Sequence, residues 1–466
     1  MVTRRAANDS LRMLLSTADW TYEALARNVN ALGAENGMRL CYDRTSVAHW
    51  LAGSVPRPRT RELIAEAFTR RLRRPVALTE LGMGDSAPDV LNDVPYGGAI
   101  AERNERKTHA VACLAALCGM DADPARQRLV HQSVYSVRGL DVPVWPERSK
   151  DCCSARRPAA SGPTGPEDVE GLRAAVDFFH RAGDFGGRHA RSALVSYLHD
   201  DVVPRLHAEG HESTHRRLLT EAARLVHVLA RMYVDDVKNG AAQQYHRAAL
   251  LLAAEASDRT TYAVVLRSMS THALDLGHRR MALRLSEAAV GTAPADAPHE
   301  VRAALLSQLA LTQATVGDRC RATASLATAE RHQHQVPAPG TTGHDARAFR
   351  SSWASLAFWK GRTLAALGDR AAAIAALRLS VEYCPATAYL SRALAHAEIA
   401  RLLLGGGRLD ESCAACHRFL DDHLHLRSGR ADRILAELRG SLRVHAAHPP
   451  VRALLRRADR AVERPR

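Results

Sequence analysis

The chain has 466 residues and a formal net charge of +14, with 46% hydrophobic, 24% charged and 5% aromatic residues. That length and apolar share suit a globular protein of two or three domains. No run of about 18 apolar residues is present to span a membrane, and no apolar signal core follows the basic opening Met1-Val2-Thr3-Arg4-Arg5.

Scarce aromatics and abundant alanine favour helix over sheet. The nine scattered cysteines fit a reducing cytoplasm better than a disulfide framework. The basic balance favours a polyanionic partner. The expectation is an all-α cytoplasmic protein.

Residues 1–85 read as a helical head. Leu11, Leu14, Leu15 and Ala18 keep helical spacing. Thr21 caps a second helix that buries Tyr22, Leu25, Ala26 and Val29. A third runs from Asp43, whose carboxylate suits an N-cap, to Gly53, which suits a left-handed stop, with Pro56 beyond. On it Val47, Trp50 and Leu51 fall on the inner face, and Arg44, Thr45 and His49 on the outer. A fourth helix, from a Thr60 cap to Arg71, buries Leu63, Ile64, Ala67 and Phe68 before Pro75. Between residues 57 and 74 lie seven arginines against Glu62 and Glu66, a charge suited to phosphate contacts.

Thr21-Tyr22-Glu23-Ala24-Leu25-Ala26, followed by Arg44-Thr45-Ser46-Val47-Ala48-His49-Trp50-Leu51-Ala52-Gly53 and Pro56, resembles the helix-turn-helix of the Cro/phage-repressor type. The resemblance implies that Arg44, Thr45 and His49 face base edges and that Tyr22 contacts backbone phosphate. Arg57 and Arg59 join them as candidate DNA contacts. The sequence departs from the family in its connection: Ala31 to Tyr42 intervenes where the family has a short turn.

Residues 86–170 read as a linker with one helix between Asn104 and Met120, since Val111, Leu114, Ala115 and Cys118 share a face. Five prolines between Arg138 and Pro166 mark flexible chain, and the vicinal pair Cys152-Cys153 reads as two unpaired thiols in a loop.

Residues 171–440 carry a repeat. Gly277, Gly317, Gly368 and Gly407 recur, with Asp236 at the equivalent place before them, at intervals of 41, 40, 51 and 39 residues. Five residues after each anchor stand Ala241, Ala282, Ala322, Ala373 and Ser412. Seven before stand Leu229, Ser270, Ala310, Gly361 and Ala400, small in four of five. Glycine makes a tight turn and small residues let paired helices approach, while Pro294 and Pro385 close two units. The pattern, including Gly317-Asp318 and Gly368-Asp369, resembles tetratricopeptide repeats and implies an α-solenoid with a concave binding face. Arg231, Asn239, Gln243, Arg267 and Arg362 are candidates to line it. Residues 171–207 read as an irregular helix pair before the array, and residues 441–466 as a basic tail.

Two motifs invite chemistry. Cys413-Ala414-Ala415-Cys416-His417 has the spacing of a c-type haem attachment, but Cys416 aligns with core positions of the repeat and reads as a buried apolar residue. Asp184-Phe185-Gly186 has the letters of a kinase magnesium motif without its partner loops, and reads as a turn. Neither a catalytic constellation nor a metal or cofactor site is expected.

A helix-turn-helix head before a tetratricopeptide-like array is similar in layout to a group of actinomycete regulators of differentiation and antibiotic production, and to peptide-sensing regulators of other Gram-positive bacteria. The resemblance implies a homodimeric transcriptional regulator that binds double-stranded DNA and senses a peptide, protein or small ligand through its array. The alternative is an interaction scaffold without sequence-specific DNA binding.

Overall fold

The structure, a computed structural model, describes residues 7–72, 74, 76–83, 110–137, 142–143, 145–146, 164–208, 210–338 and 346–463. Among them there is no strand, only an isolated bridge between Thr164 and Gly210. The fold is all-α. Cys152 and Cys153 lie outside the described residues.

The head comprises α1 (Asp9–Thr17), α2 (Tyr22–Glu35), α3 (Arg44–Leu51) and α4 (Pro58–Leu72). Their apolar faces meet in one core that includes Leu11, Leu14, Leu25, Val29, Val47, Trp50, Leu63 and Phe68. Asn8 caps α1 by accepting from the Leu11 amide at 2.9 Å, and Thr21 caps α2 by accepting from the Ala24 amide at 3.1 Å. Two boundaries differ from the sequence expectation. Leu32 and Gly33 extend the buried face of α2, so the helix continues to Glu35 and leaves only residues 36–43 as the connection. Pro58 opens α4, because a first-turn residue needs no amide hydrogen. Thr60 therefore sits inside that helix, and its hydroxyl pairs with the Tyr42 hydroxyl at 3.0 Å.

The expected linker is partly core. In α5 (Ala110–Ala122), Val111, Leu114 and Cys118 pack into the same cluster as the first repeats. Fully buried Asp121 accepts from the hydroxyls of Tyr245, at 2.6 Å, and Tyr233. A short α6 (Gln127–Gln132) leads to an extended stretch, residues 133–137, that lies between head and array.

The array begins with α7 (Pro166–Ala182), α8 (Arg191–Tyr197) and α9 (Val203–His207). Hairpins follow: α10 (Glu212–Asp235) with α11 (Asn239–Glu255), α12 (Arg259–Asp275) with α13 (Arg279–Thr292), and α14 (His299–Thr315) with α15 (Arg319–Gln333). Then come α16 (Ala346–Ala366) with α17 (Arg370–Tyr383) and α18 (Tyr389–Leu404) with α19 (Leu409–His423). The final pair is α20 (Gly429–Arg443) and α21 (Pro449–Glu463). Residues 449–463 are thus a helix, not a tail: Val451, Leu454 and Ala458 bury themselves against the preceding pair.

The small residues do what their spacing suggested. Ala241, Ala282, Ala322 and Ala373 are fully buried. Ser270 and Ser412 each donate a hydroxyl hydrogen bond to a carbonyl of the facing helix, at 2.7 and 2.9 Å. A Cβ on Gly361 would stand 2.6 Å from Leu377 Cγ. The four glycine anchors take φ from +74 to +91°. The first anchor is displaced by one: Val237, not Asp236, takes the left-handed turn, with φ +61°.

The array closes on itself. The Arg427 amide donates to the Phe185 carbonyl at 2.8 Å, and the Arg188 amide to the Arg427 carbonyl at 3.0 Å. Asp235 accepts from the Gly187 amide at 2.7 Å and the Ser428 hydroxyl at 2.8 Å. Asp236 pairs with Arg188 and Arg191. The turn Asp184-Phe185-Gly186 is one half of this clasp. A Cβ on Gly186 would stand 2.6 Å from the Arg427 carbonyl oxygen, which only glycine allows.

Candidate nucleic-acid interface

α3 is a single short helix with a defined start. Asp43 accepts from the Ser46 amide at 2.8 Å, and Ser46 Oγ lies within 3.4 Å of the Asp43 amide, a reciprocal capping box. Those hydrogen bonds hold the Asp43 carboxyl below its usual range. Gly53 ends the helix with φ +93°. Val47, Trp50 and Leu51 are buried, while Arg44, Thr45, Ala48 and His49 are exposed. The exposed side thus carries the three residues named as base readers.

The long connection is pinned. The Asn30 side chain brackets Tyr42, donating to its carbonyl at 2.8 Å and accepting from its amide at 2.9 Å. Tyr42 stands edge-on to Trp50, ring centroids 5.0 Å apart. Leu40 folds back on Gly33, where a Cβ would meet it at 2.5 Å. These contacts seat α3 on α2 despite the extra residues.

Tyr22 and Arg44 share one end of the head, since Arg44 reaches Glu23 at 3.6 Å. The ends of α2 are about 20 Å apart, at 1.5 Å of rise per residue. Its other end docks on the array. The Asn36 side chain accepts from the Tyr135 amide at 3.1 Å and donates to its carbonyl at 3.3 Å. His278 Nε2 donates to the Glu35 carbonyl at 2.8 Å. The Tyr135 ring stacks on His278, with centroids 5.8 Å apart and an interplanar angle of 8°. Sequence reasoning missed this junction, although Asn36-Gly37 is a turn signal and Gly37 takes φ +70°.

Arg59 belongs to the array-facing end. It pairs with Glu62 at 2.6 Å and reaches Asn36 Oδ1 at 3.3 Å, which places it at the other end of α2 from Tyr22 and Arg44. The arginine-rich stretch is also largely internal. Arg61 donates to the Met83 carbonyl, Arg70 to Glu66 and Glu35, Arg71 to the Ala18 carbonyl and Arg74 to Glu80. Burial raises the Glu66 pKa, against the opposing charge of Arg70. Arg57 is exposed between α3 and α4. Of the sequence-predicted contacts, Tyr22 and Arg44 lie at the end of α2 opposite the array junction, and Thr45, His49 and Arg57 are exposed.

Of the residues named for the concave face, Asn239 and Gln243 are taken up internally. Asn239 Oδ1 accepts from His272 Nε2 at 3.1 Å, and the Gln243 amide clamps both backbone groups of Ser136. Arg231, Arg267 and Arg362 face the interior of the closed array. There Arg267 and Arg362 flank the Trp359 ring, each 5.3 Å from its centroid. Cys416 is buried beside Phe419 and Leu420, as its repeat position indicated. No helix is long and apolar enough to cross a membrane among the described residues.

Residues 11–84 match the model of the family described as the SP15 N-terminal domain, a span that falls on the head. No curated protein matches the chain. Among solved structures, the chain is similar to one in the crystal structure of the APC/C hetero-tetramer Cut9-Hcn1. The identity is 13% and the TM-score 0.32, with 92% of this chain and 74% of that chain covered. Neither description names a Cro or phage-repressor family or an actinomycete source.

Proposed function

We propose that the protein is a DNA-binding transcriptional regulator, in which α3 enters the major groove amino end first and the helical array senses a partner or ligand. The observation that carries this reading is the exposed, polar side of a capped helix, anchored from behind by Val47, Trp50 and Leu51 and turned away from the array junction. Arg44, Thr45 and His49 read base edges, while Tyr22 and Arg57 meet phosphate. A single head reads one half-site, so the active form is a homodimer. The layout's resemblance to actinomycete regulators extends this reading to control of differentiation or secondary metabolism.

The full chain, titrated against DNA selected from a random pool, tests it. Arg44→Ala and His49→Ala should each weaken specific binding by about 1–3 kcal/mol, with non-specific binding changed less. Arg59→Ala should leave base discrimination as it is. Loss of nothing in Arg44→Ala would remove α3 from the interface.

The second reading, an interaction scaffold without sequence-specific DNA binding, is favoured by the internal pairing of Arg59, Arg61, Arg70, Arg71 and Arg74, which lowers the charge left for phosphates. It predicts no salt-dependent DNA affinity in the same titration.

A further inference from the structure

The interior of the closed array holds more uncommitted cation than anion. Three successive helices bring basic groups together: His227 and Arg231 from α10, His246 from α11, and Arg267, Ser268 and His272 from α12. Facing them across the interior, α16 supplies Trp359 and Arg362. The nearby carboxylates are largely spent. Asp275 is shared by Arg430, at 3.0 Å, and Arg362, at 3.4 Å. Asp235 is held by the Gly187 amide and the Ser428 hydroxyl. Asp184 is the carboxylate whose field acts most on Arg231.

Arg231 and Arg267 are left with donors to give. Arg231 is reached by solvent although protein surrounds it, and no ion pair joins it to another described residue. Arg267 donates Nε to the Ala304 carbonyl at 2.9 Å, which leaves both terminal nitrogens for another partner. Burial, reinforced by the Arg231 charge, depresses Arg267 to about 10. Beside them His227, only 9% exposed, has its Nε2 3.2 Å from the Ser268 hydroxyl and its Nδ1 buried without a partner. Burial lowers His227 to about 3, so the ring is neutral at pH 7. With Ser268 donating to Nε2, the ring proton sits on Nδ1, which protein covers on all sides. The His246 ring, fully buried, backs His227 at 5.8 Å between centroids.

We propose that this cluster binds the phosphate group of a small ligand, with Arg231 and Arg267 as charged donors and the neutral His227 ring behind them. The charge of the donors selects phosphate over carboxylate: two guanidinium groups match a dianion, and each can present paired N–H donors to its oxygens. A cation is excluded by the arginines. An extended peptide is excluded because the Arg267–Trp359 and Arg362–Asp275 contacts cross the concave face here and interrupt any continuous groove. The proposal rests on the reading of the array as the sensing part, but it concerns binding that is measured without DNA.

The test uses the full chain, dialysed free of phosphate, in calorimetric titration at pH 7 with inorganic phosphate, with a nucleoside monophosphate and with acetate. Saturable one-to-one binding of either phosphate compound, with acetate at least about tenfold weaker, is the expected result. Tighter binding of inorganic phosphate identifies the free ion as the ligand, and tighter binding of the ester a phosphorylated metabolite. Arg231→Gln, on a solvent-reached side chain, should weaken binding about tenfold or more while leaving the circular dichroism melt in place; Arg267→Gln should weaken binding as much but also lower the melt, because it loses the bond to the Ala304 carbonyl. No heat and no thermal stabilisation with either phosphate compound overturns the proposal, as does equal binding by Arg231→Gln. Failure of the chain to bind DNA leaves these measurements untouched and bears only on the regulator reading.

Discussion

Asn36 uses both amide hydrogens and accepts two bonds at its carbonyl oxygen, reaching Leu32, Tyr135 and Arg59 from a position 4% exposed. Head, connecting segment and array thus meet on one side chain. Asn36→Ala should cost about 1–3 kcal/mol, since it strands the Tyr135 amide, and the denaturant midpoint of the full chain measures that. An unchanged midpoint would remove the residue from the junction. The same scale shows what the sequence disclosed of the interface. The cap, stop and inner face of α3 were legible because each rests on local backbone geometry. Arg59 is a candidate by charge alone, and its partners Glu62 and Asn36 are three and twenty-three residues away. Charge along a chain does not say which arginines are already paired.

At the scale of elements, the array was legible because a close helix pair needs small residues at fixed distances from its turn. The error of one residue at the first anchor has a physical cause. Val237 occupies the left-handed turn, a conformation that disfavours a β-branched side chain, so a search for glycine passes over it. Val237→Gly should therefore raise stability, by about 1 kcal/mol after the greater entropy of an unfolded glycine is offset, and a thermal melt reads the sign. A lowered midpoint would mean that the Val237 side chain contributes more by packing than the turn loses by strain. The helix of residues 449–463 was passed over for the opposite reason. Its four arginines suggested a tail, while Val451, Leu454 and Ala458 already marked a buried stripe.

At the scale of the whole molecule, the interior histidines tie stability to pH. Burial depresses His227 to about 3 and His272 and His396 to about 4, and holds His246 well below its ordinary value. A base whose folded pKa is depressed stays neutral in the fold, while the unfolded chain takes up protons below about 6.5. Its contribution is complete above that pH and is lost as pH falls toward the folded values. Each such histidine should cost about 2 kcal/mol between pH 7 and pH 5. Asp422, raised by burial to about 6, works the other way and is outnumbered. The denaturant midpoint should fall over this range, and a flat profile would contradict the burial of these rings. Closure of the array has a further consequence, for synthesis. A linear solenoid can fold unit by unit as it is made and fray from either end, whereas this one has its first and last hairpins as neighbours. Arg188 and its partner Asp432 stand 244 residues apart. A ribosome adding about 5–20 residues per second leaves the early half of the clasp bare for on the order of ten seconds or more. Until Arg427 emerges, the growing chain exposes a surface shaped for the edge of its own last repeats. Another unfinished copy can fill that place, which makes the clasp the point where domain-swapped pairing would begin.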